Sequence, residues 1–270
     1  MNRVTKATDE APLLSIIIPA YNEASRLPPY LDAIQCYLET SRRERCEIIV
    51  VDDGSQDETG AIVERRASDW PGLSVCRHDR NRGKGAALRT GALAARGEMV
   101  LFVDADGATA IAEERKLGDA IAQGADVAVG SRLIDSHSVS VRRSWHRRLM
   151  GRAFARATRA ILPLAIRDTQ CGFKMFRRDV CVMLIKRCRE QGYLLDVELL
   201  AWAEAMRFRV AEIPVSWRDV PGSKLCLARD AGEMLKGLWR VRRAVRGMTE
   251  AEASRRELST EAMAADSLSV

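Results

Sequence analysis

The 270-residue sequence predicts an α/β fold: a mostly parallel central sheet flanked by helices on both faces. Two observations predict it. Short apolar runs without charge recur along the first half, as strands buried on both faces require, and the segments between them space their apolar residues at helical intervals. The composition agrees, because 47% hydrophobic and 30% charged residues exclude a disordered chain and an integral membrane bundle. A chain of this length buries about 70–75% of its unfolded surface and needs no disulfide or metal staple.

Leu13 to Ile18 (LLSIII) is the first expected strand and stops at Pro19. After a loop from Ala20 to Glu23, Ser25 stands where it can cap a helix carrying Leu27, Leu31, Ile34 and Leu38 on one face. Cys46 to Val51 is the second strand and ends in Asp52-Asp53-Gly54-Ser55; a helix to Ser68 and a short strand at Leu73 to Cys76 follow. Gly83 to Gly85 opens the next helix, and Met99 to Val103 is a strand that stops at Asp104. A helix over Ala112 to Gln123 and a strand over Asp126 to Val129 complete this series.

Beyond Arg132 the character changes. No acidic residue stands between Asp135 and Asp168, while arginines accumulate. At about 100° per residue, Arg148, Arg152, Arg156 and Arg159 share one helical face, opposite Leu149, Met150, Ala153, Phe154, Ala157 and Ile161. Met234 to Val245 repeats the theme, with Leu235, Leu238, Trp239 and Val241 beside Lys236, Arg240, Arg242 and Arg243. Between these segments lie a loop-like DTQCGFK stretch from Asp168, two helices, and a strand pair near Val210 to Trp217. Two such basic amphipathic helices fit a membrane surface, where anionic headgroups attract nearby Lys and Arg.

Several function classes are excluded. The seven cysteines are odd in number and form no C-x-x-C, which removes a zinc ribbon and a thioredoxin-like site and leaves reduced thiols. No G-x-G-x-x-G follows the first strand, so a dinucleotide oxidoreductase is disfavoured. His78, His137 and His146 show no metal spacing and read as surface residues. The first dozen residues hold no apolar core and no run of about 18 apolar residues occurs, so a soluble or peripheral protein without signal peptide or membrane span is expected. The net charge of +6 points to an anionic partner, and 5% aromatic residues leave little surface for stacking nucleic-acid bases.

In a parallel sheet, ligands bind beyond the carboxyl ends of the strands. Three such ends carry chemistry: Tyr21-Asn22-Glu23, Asp52-Asp53 and Asp104-Ala105-Asp106. Asp104 and Asp106, where a strand gives way to a loop, can hold a hard divalent cation beside a diphosphate, and that cation neutralises the charge of a departing diphosphate. An isolated D-x-D is a common loop cap; its companions give it meaning. Asp52-Asp53 can accept the imide N–H of uracil or the ring N–H of guanine. Pro19, Ala20, Tyr21 and Glu23 can line a nucleotide. Lys84 can touch base, ribose or phosphate, and Gly83 and Gly85 would let the backbone approach it closely.

In this order, I-I-I-P-A-Y-N-E, V-V-D-D-G-S, N-R-G-K-G-A-A, V-D-A-D-G-A-T and G-S-R resemble a family 2 glycosyltransferase of the GT-A fold. D-T-Q-C-G-F-K-M-F, D-V-E-L-L and W-R-D-V-P-G-S-K resemble its dolichyl-phosphate β-glucosyltransferase branch, a relative of the dolichyl-phosphate mannosyltransferases, over residues 13 to 245. The resemblance implies a nucleotide-facing loop of Pro19, Ala20, Tyr21 and Glu23. It implies base contacts from Asp52 and Asp53, a ribose and metal position at Asp104 beside Ala105, and Mg²⁺ or Mn²⁺ on Asp106. Ser131 and Arg132 become an acceptor-side pair, with Arg148 and Lys174 as further phosphate contacts, while Asp168, Gln170 and Lys174 close over sugar and phosphates. Ala108 replaces a glutamine of the mannosyl branch, which favours glucose. The expected reaction is inverting transfer of glucose from UDP-glucose to a polyprenyl phosphate at the cytoplasmic membrane face.

The resemblance divides the chain into a polar segment 1–12, a domain 13–247 with a nucleotide-binding half (13–132) and an acceptor- and membrane-facing half (133–247), and a frayed tail 248–270. Alternatives stay open: GDP-mannose as donor, or a soluble hydroxyl acceptor with Asp196 or Glu198 as base. A non-catalytic basic protein on membrane or RNA is a third, and a homodimer is compatible with all of these.

Overall fold

A computed structural model describes residues 11–41, 45–134, 141–142, 154–162, 164–220 and 232–248. In chain order the elements are β1 (Leu14–Ala20), α1 (Leu27–Thr40), β2 (Cys46–Asp52), α2 (Thr59–Asp69), β3 (Leu73–Arg77), α3 (Lys84–Ala94) and β4 (Met99–Phe102). A 3-10 turn (Ile111–Glu113), α4 (Glu114–Ala122), β5 (Val127–Ser131) and β6 (Val141–Arg142) follow. After them come α5 (154–161), β7 (Lys174–Arg177), α6 (Arg178–Arg187), α7 (Leu195–Ala205), β8 (Val210–Pro214), β9 (Trp217–Arg218) and α8 (232–248).

Seven strands form one sheet in the order β3-β2-β1-β4-β7-β5-β8. All run in one direction except β7, which pairs antiparallel with both β4 and β5. Strand β7, from the second half of the chain, thus lies inside the sheet that the first half builds, and β8 extends its edge. The antiparallel insertion also puts the first residue of β7, Lys174, level with Phe102 and Val129 near the carboxyl ends of β4 and β5.

Alternation along β1 sends Ile16 and Ile18 into a core under α1 and α4, and Ile17 into a second core under α3, α6 and α7. Both faces are therefore covered, which is why the strands read as unbroken apolar runs. A third cluster joins Phe154 and Leu162, Leu194 and Val197 of α7's start, and Met234, Leu238 and Val241 of α8.

Four expectations need correction. Ser25 does not cap α1; Arg26 holds that place without a side-chain bond, and prolines at the first positions start the helix. The DTQCGFK stretch is a loop only to Phe173, since Lys174 opens β7. The strands near 210 to 217 are not partners: β8 extends the main sheet, whereas β9 pairs with β6. His78 is buried rather than on the surface; His137 and His146 lie outside the described residues, as do Arg148, Arg152 and the segments 1–10 and 249–270. Among the described residues no helix is long and apolar enough to cross a membrane.

Gly91 of α3 lies so close to β1 that an added Cβ would stand 2.3 Å from Ile17 Cγ2. Gly91→Val is accordingly expected to cost about 1–3 kcal/mol by overpacking, read as a lower urea midpoint at unchanged slope.

Candidate active site

The first two loops of the rim are stitched together. Asn22 takes a left-handed φ of 50°, its N–H donates to Ser55 Oγ, and its Oδ1 accepts from Gln56 N. Glu23 N donates to Thr59 Oγ1, while the Glu23 carboxylate receives the Arg26 guanidinium in a two-point contact. Pro19 and Ala20 end β1 level with Val51 and Asp52, and Tyr21 stands half-buried beyond them.

Asp52 is fully buried. Its Oδ1 accepts from Ser55 N at 2.9 Å, whereas Oδ2 faces Arg77 Nε at 3.2 Å without hydrogen-bond geometry. Gly60 makes room for that oxygen, since a Cβ there would lie 2.6 Å from it. A buried carboxylate oxygen with an open acceptor position, beside an arginine half in solvent, suits an N–H donor from a ligand. Asp53 differs. Its two oxygens accept from His78 Nδ1, Arg82 N and Gly83 N at 2.6 to 2.9 Å, so it holds the loop leading into α3. His78 Nε2 reaches Thr90 Oγ1 and completes that brace.

Gly83 (φ 98°) and Gly85 also depart from expectation. Added Cβ atoms would strike the Gln191 carbonyl at 2.5 and 2.8 Å, and Ala86 N donates to that carbonyl. The close approach that these glycines permit is to the α6–α7 connection. Its effect is to aim Lys84.

Lys84 Nζ lies 2.8 Å from Asp104 Oδ1 and 3.3 Å from Asp196 Oδ2, and Asp196 Oδ1 accepts from Lys174 Nζ at 2.6 Å. Lys174 also donates to the Cys171 carbonyl and has no exposed surface. It is thus a floor under the site and not a phosphate contact. Burial opposes the charge on Asp196, but the Lys174 and Lys84 ammoniums outweigh it and hold its carboxyl below the usual value. That makes it a poor general base. Burial likewise opposes the charge on Lys84, and Asp104 and then Asp196 overcome it and drive its pKa up. Glu198 is buried and accepts from Arg189 N and Glu190 N, shaping the turn before α7. Neither acid stands as the base foreseen for a hydroxyl acceptor.

Asp104 is the more open carboxylate, with 41% of its side chain exposed. Gly172 packs against it so tightly that a Cβ would overlap its carboxylate oxygens. Asp106 accepts from Ala108 N, and burial followed by the charge of Asp104 pushes its pKa up. The same two charges add to burial in raising Tyr30, which donates to Thr109 O and props the loop from below. Buried Ala105 and Ala108 keep that loop short-sided, and Arg218 N on β9 donates to Ala108 O. Mutual repulsion of two hard oxygen donors is what a divalent cation relieves. No third His, Cys, Asp or Glu joins them among the described residues. Two carboxylates are the number Mg²⁺ keeps where substrate phosphates complete its shell, so the residues present fit that ion.

The far side of the rim belongs to Arg132. Its Nε and Nη2 grip Asp168 at 2.7 and 2.8 Å, and its guanidinium lies 5.6 Å from the Trp217 ring centroid. Glu212 on β8 anchors Asp168 by accepting from Arg167 N and Asp168 N. Burial opposes Arg132's charge, yet Asp168 raises its pKa above the usual value. Ser131 is fully buried and its Oγ accepts from Leu133 N, so it shapes the turn. A cavity beside them is lined by Arg132, Leu133, Phe154, Ala155, Asp168, Thr169 and Gln170, joining charged groups to apolar walls. Arg148 lies outside the described residues.

Sequence reasoning missed Arg77, Tyr30, Gln191 and the role of Gly172. Only Gly172 carried a signal, as a glycine inside a motif rich in functional side chains; the others act through tertiary proximity alone.

The family model described as "Glycosyl transferase family 2" matches residues 15–183. A dolichyl-phosphate beta-glucosyltransferase of Saccharomyces cerevisiae is 36% identical over 254 residues, 87% of this chain and 76% of that protein. One from Trichomonas vaginalis is 38% identical over 221 residues, 78% of this chain and 68% of that protein. Among solved structures, glucosyl-3-phosphoglycerate synthase from Mycobacterium tuberculosis in complex with Mn2+, uridine-diphosphate-glucose and phosphoglyceric acid aligns with a TM-score of 0.61 at 20% identity, over 87% of this chain and 80% of that one. The fold is shared.

Removing Lys174 as Lys174→Met leaves Asp196 with its longer partner only, and a loss of about 3–5 kcal/mol in stability is expected. Asp196, held below its ordinary 3.8, adds stability above that pH, and the gain is lost as pH falls through the lowered native value. Urea midpoints followed from neutral pH into acid should therefore fall less steeply in Lys174→Met than in the wild type.

Proposed function

The chain belongs to glycosyl transferase family 2, and from that premise we propose that this glycosyltransferase moves glucose from UDP-glucose, with inversion, onto a polyprenyl phosphate at the cytoplasmic face of a membrane. The single observation that carries this reading is that one carboxyl edge of the sheet bears Asp52 at the end of β2, Asp104 and Asp106 just past β4 with Lys84 2.8 Å from Asp104, and the Arg132 cavity just past β5. The names of the relatives supply the acceptor, and the neighbour solved with Mn2+ and UDP-glucose supplies donor and ion by analogy.

In this proposal Asp52 Oδ2 accepts the uracil imide N–H, Pro19 to Glu23 wall the nucleoside, and Asp104 and Asp106 hold Mg²⁺ or Mn²⁺. That ion supplies charge neutralisation to the diphosphate leaving group. Lys84 stands next to Asp104, ready to share the same task. Arg132 and Gln170 orient the acceptor phosphate, and Leu133, Phe154 and Ala155 receive the first isoprene units. One phosphate oxygen forms the bond to glucose C1 as the C1–O bond to UDP breaks. The acceptor is already mostly dianionic, since its second pKa is about 6, so no proton has to leave it. Positioning and electrostatics suffice. The depressed Asp196 and the backbone-bound Glu198 are poorly suited to serve as the base of a hydroxyl acceptor, which supports a phosphate acceptor. Unit 13–247 acts as a whole here, because β7 and β8 complete the nucleotide-binding sheet.

Asp106→Ala removes one hydrogen bond to Ala108 N and is expected to cut transfer by about a hundredfold or more with an unchanged melting temperature. Retained transfer would dismiss its role. A panel of UDP-glucose, UDP-galactose, UDP-GlcNAc and GDP-mannose with undecaprenyl phosphate, read by mass of the lipid product, should give a glucosyl lipid only with UDP-glucose and only with added cation. Its rate should fall as pH drops below about 6, where the acceptor phosphate gains a proton.

A further inference from the structure

The apolar residues of α8 divide between two surfaces. Met234, Leu238 and Val241 turn inward and join Phe154, Leu162, Leu194 and Val197 in the third cluster. Gly237 lets that contact close, since an added Cβ would lie 2.1 Å from Leu194 Cδ1. Leu235 and Trp239, one helical turn apart, are left outside with 43% and 56% of their surface exposed. The helix therefore has a packed side and a second apolar strip that no core element among the described residues uses.

Cations border this strip. Arg242 stacks on the Trp239 ring at 5.0 Å. Arg243 and Arg246 are exposed, and no described carboxylate pairs with either. Lys236 and Arg240 flank the strip too, but they are paired with Glu233 and Glu190. The neighbouring helix α5 shares the third cluster and exposes Arg156 and Arg159, and it supplies Phe154 to the Arg132 cavity.

We propose that the outward strip of α8 docks on an anionic lipid surface, with Leu235 and Trp239 seated at the headgroup–acyl boundary and Arg243 and Arg246 on lipid phosphates. An aliphatic and an indole side chain one turn apart suit that boundary, where tryptophan sits well and arginine extends to the headgroups. A base-stacking surface would have no use for Leu235. A second copy of the chain would place cations against cations. The inference adds to the functional proposal an address for the bilayer, and in that sense rests on it: docking here brings the bilayer beside the helix that walls the acceptor cavity.

Full-length protein is centrifuged with sucrose-loaded phosphatidylcholine vesicles, with and without phosphatidylglycerol, alongside Leu235→Ser/Trp239→Ala and Arg243→Glu/Arg246→Glu. Expected is binding to the phosphatidylglycerol vesicles that salt weakens, and a loss of at least about tenfold in each double variant at unchanged melting temperature. Turnover of a short, water-soluble polyprenyl phosphate should stay at the wild-type rate in both. Wild-type-like vesicle binding by the double variants overturns the proposal. So does conversion of a dimer to a monomer by Leu235→Ser/Trp239→Ala in light scattering, or selective loss of RNA binding instead of vesicle binding. Vesicle binding that behaves as expected in a protein lacking any glucosyl transfer refutes the functional reading and leaves the docking face standing.

Discussion

A chain of four charges, Lys174–Asp196–Lys84–Asp104, is the constraint on which the rim depends. It links the start of β7, the start of α7, the start of α3 and the end of β4, elements far apart in sequence. Lys174 and Asp196 are buried and Lys84 is mostly so, and each would be costly alone. The two ammoniums and two carboxylates balance in sign, and the outermost carboxylate is the most exposed of the four. The arrangement delivers one aimed ammonium and one aimed carboxylate to the place proposed above for a diphosphate and its cation.

Around that chain the rim divides its labour. Asp53, Glu198, Ser131 and Asp168 bond to backbone N–H groups or to Arg132, and they set the shape of the loops. Asp52, Asp104 and Asp106 retain acceptor capacity. Acidic residues that look equivalent in sequence thus separate by whether the protein already satisfies them.

Much of the fold was legible, because strands buried on both faces leave continuous apolar runs and the connecting helices show their period. Every strand of the first half appears within a residue or two of expectation. The strand β7 was not legible: KMFR is short and follows a loop motif, and its antiparallel place between β4 and β5 comes from pairing that no local pattern announces. The same limit applied to the site. The acidic pairs stood out by spacing and strand-end position, whereas the burial of Lys174 and the bonding of Asp53 and Glu198 depend on neighbours distant along the chain. On α8 the period was right, but one helix wheel could not tell that Leu235 and Trp239 would be left over once Met234, Leu238 and Val241 had filled the core.

The place of β7 has a bearing on synthesis. While the ribosome has delivered only the nucleotide-side strands, β4 can pair with β1 on one edge and has nothing on the other; its partner arrives only when Lys174 to Arg177 emerge. Until then a row of unpaired backbone N–H and C=O groups on an apolar strand lies bare, a template for association with other nascent chains. Completion of the sheet is consequently a late, long-range event during translation, and a chain released before that point would carry most of the acidic strand-end motifs on a sheet with an open, adhesive edge.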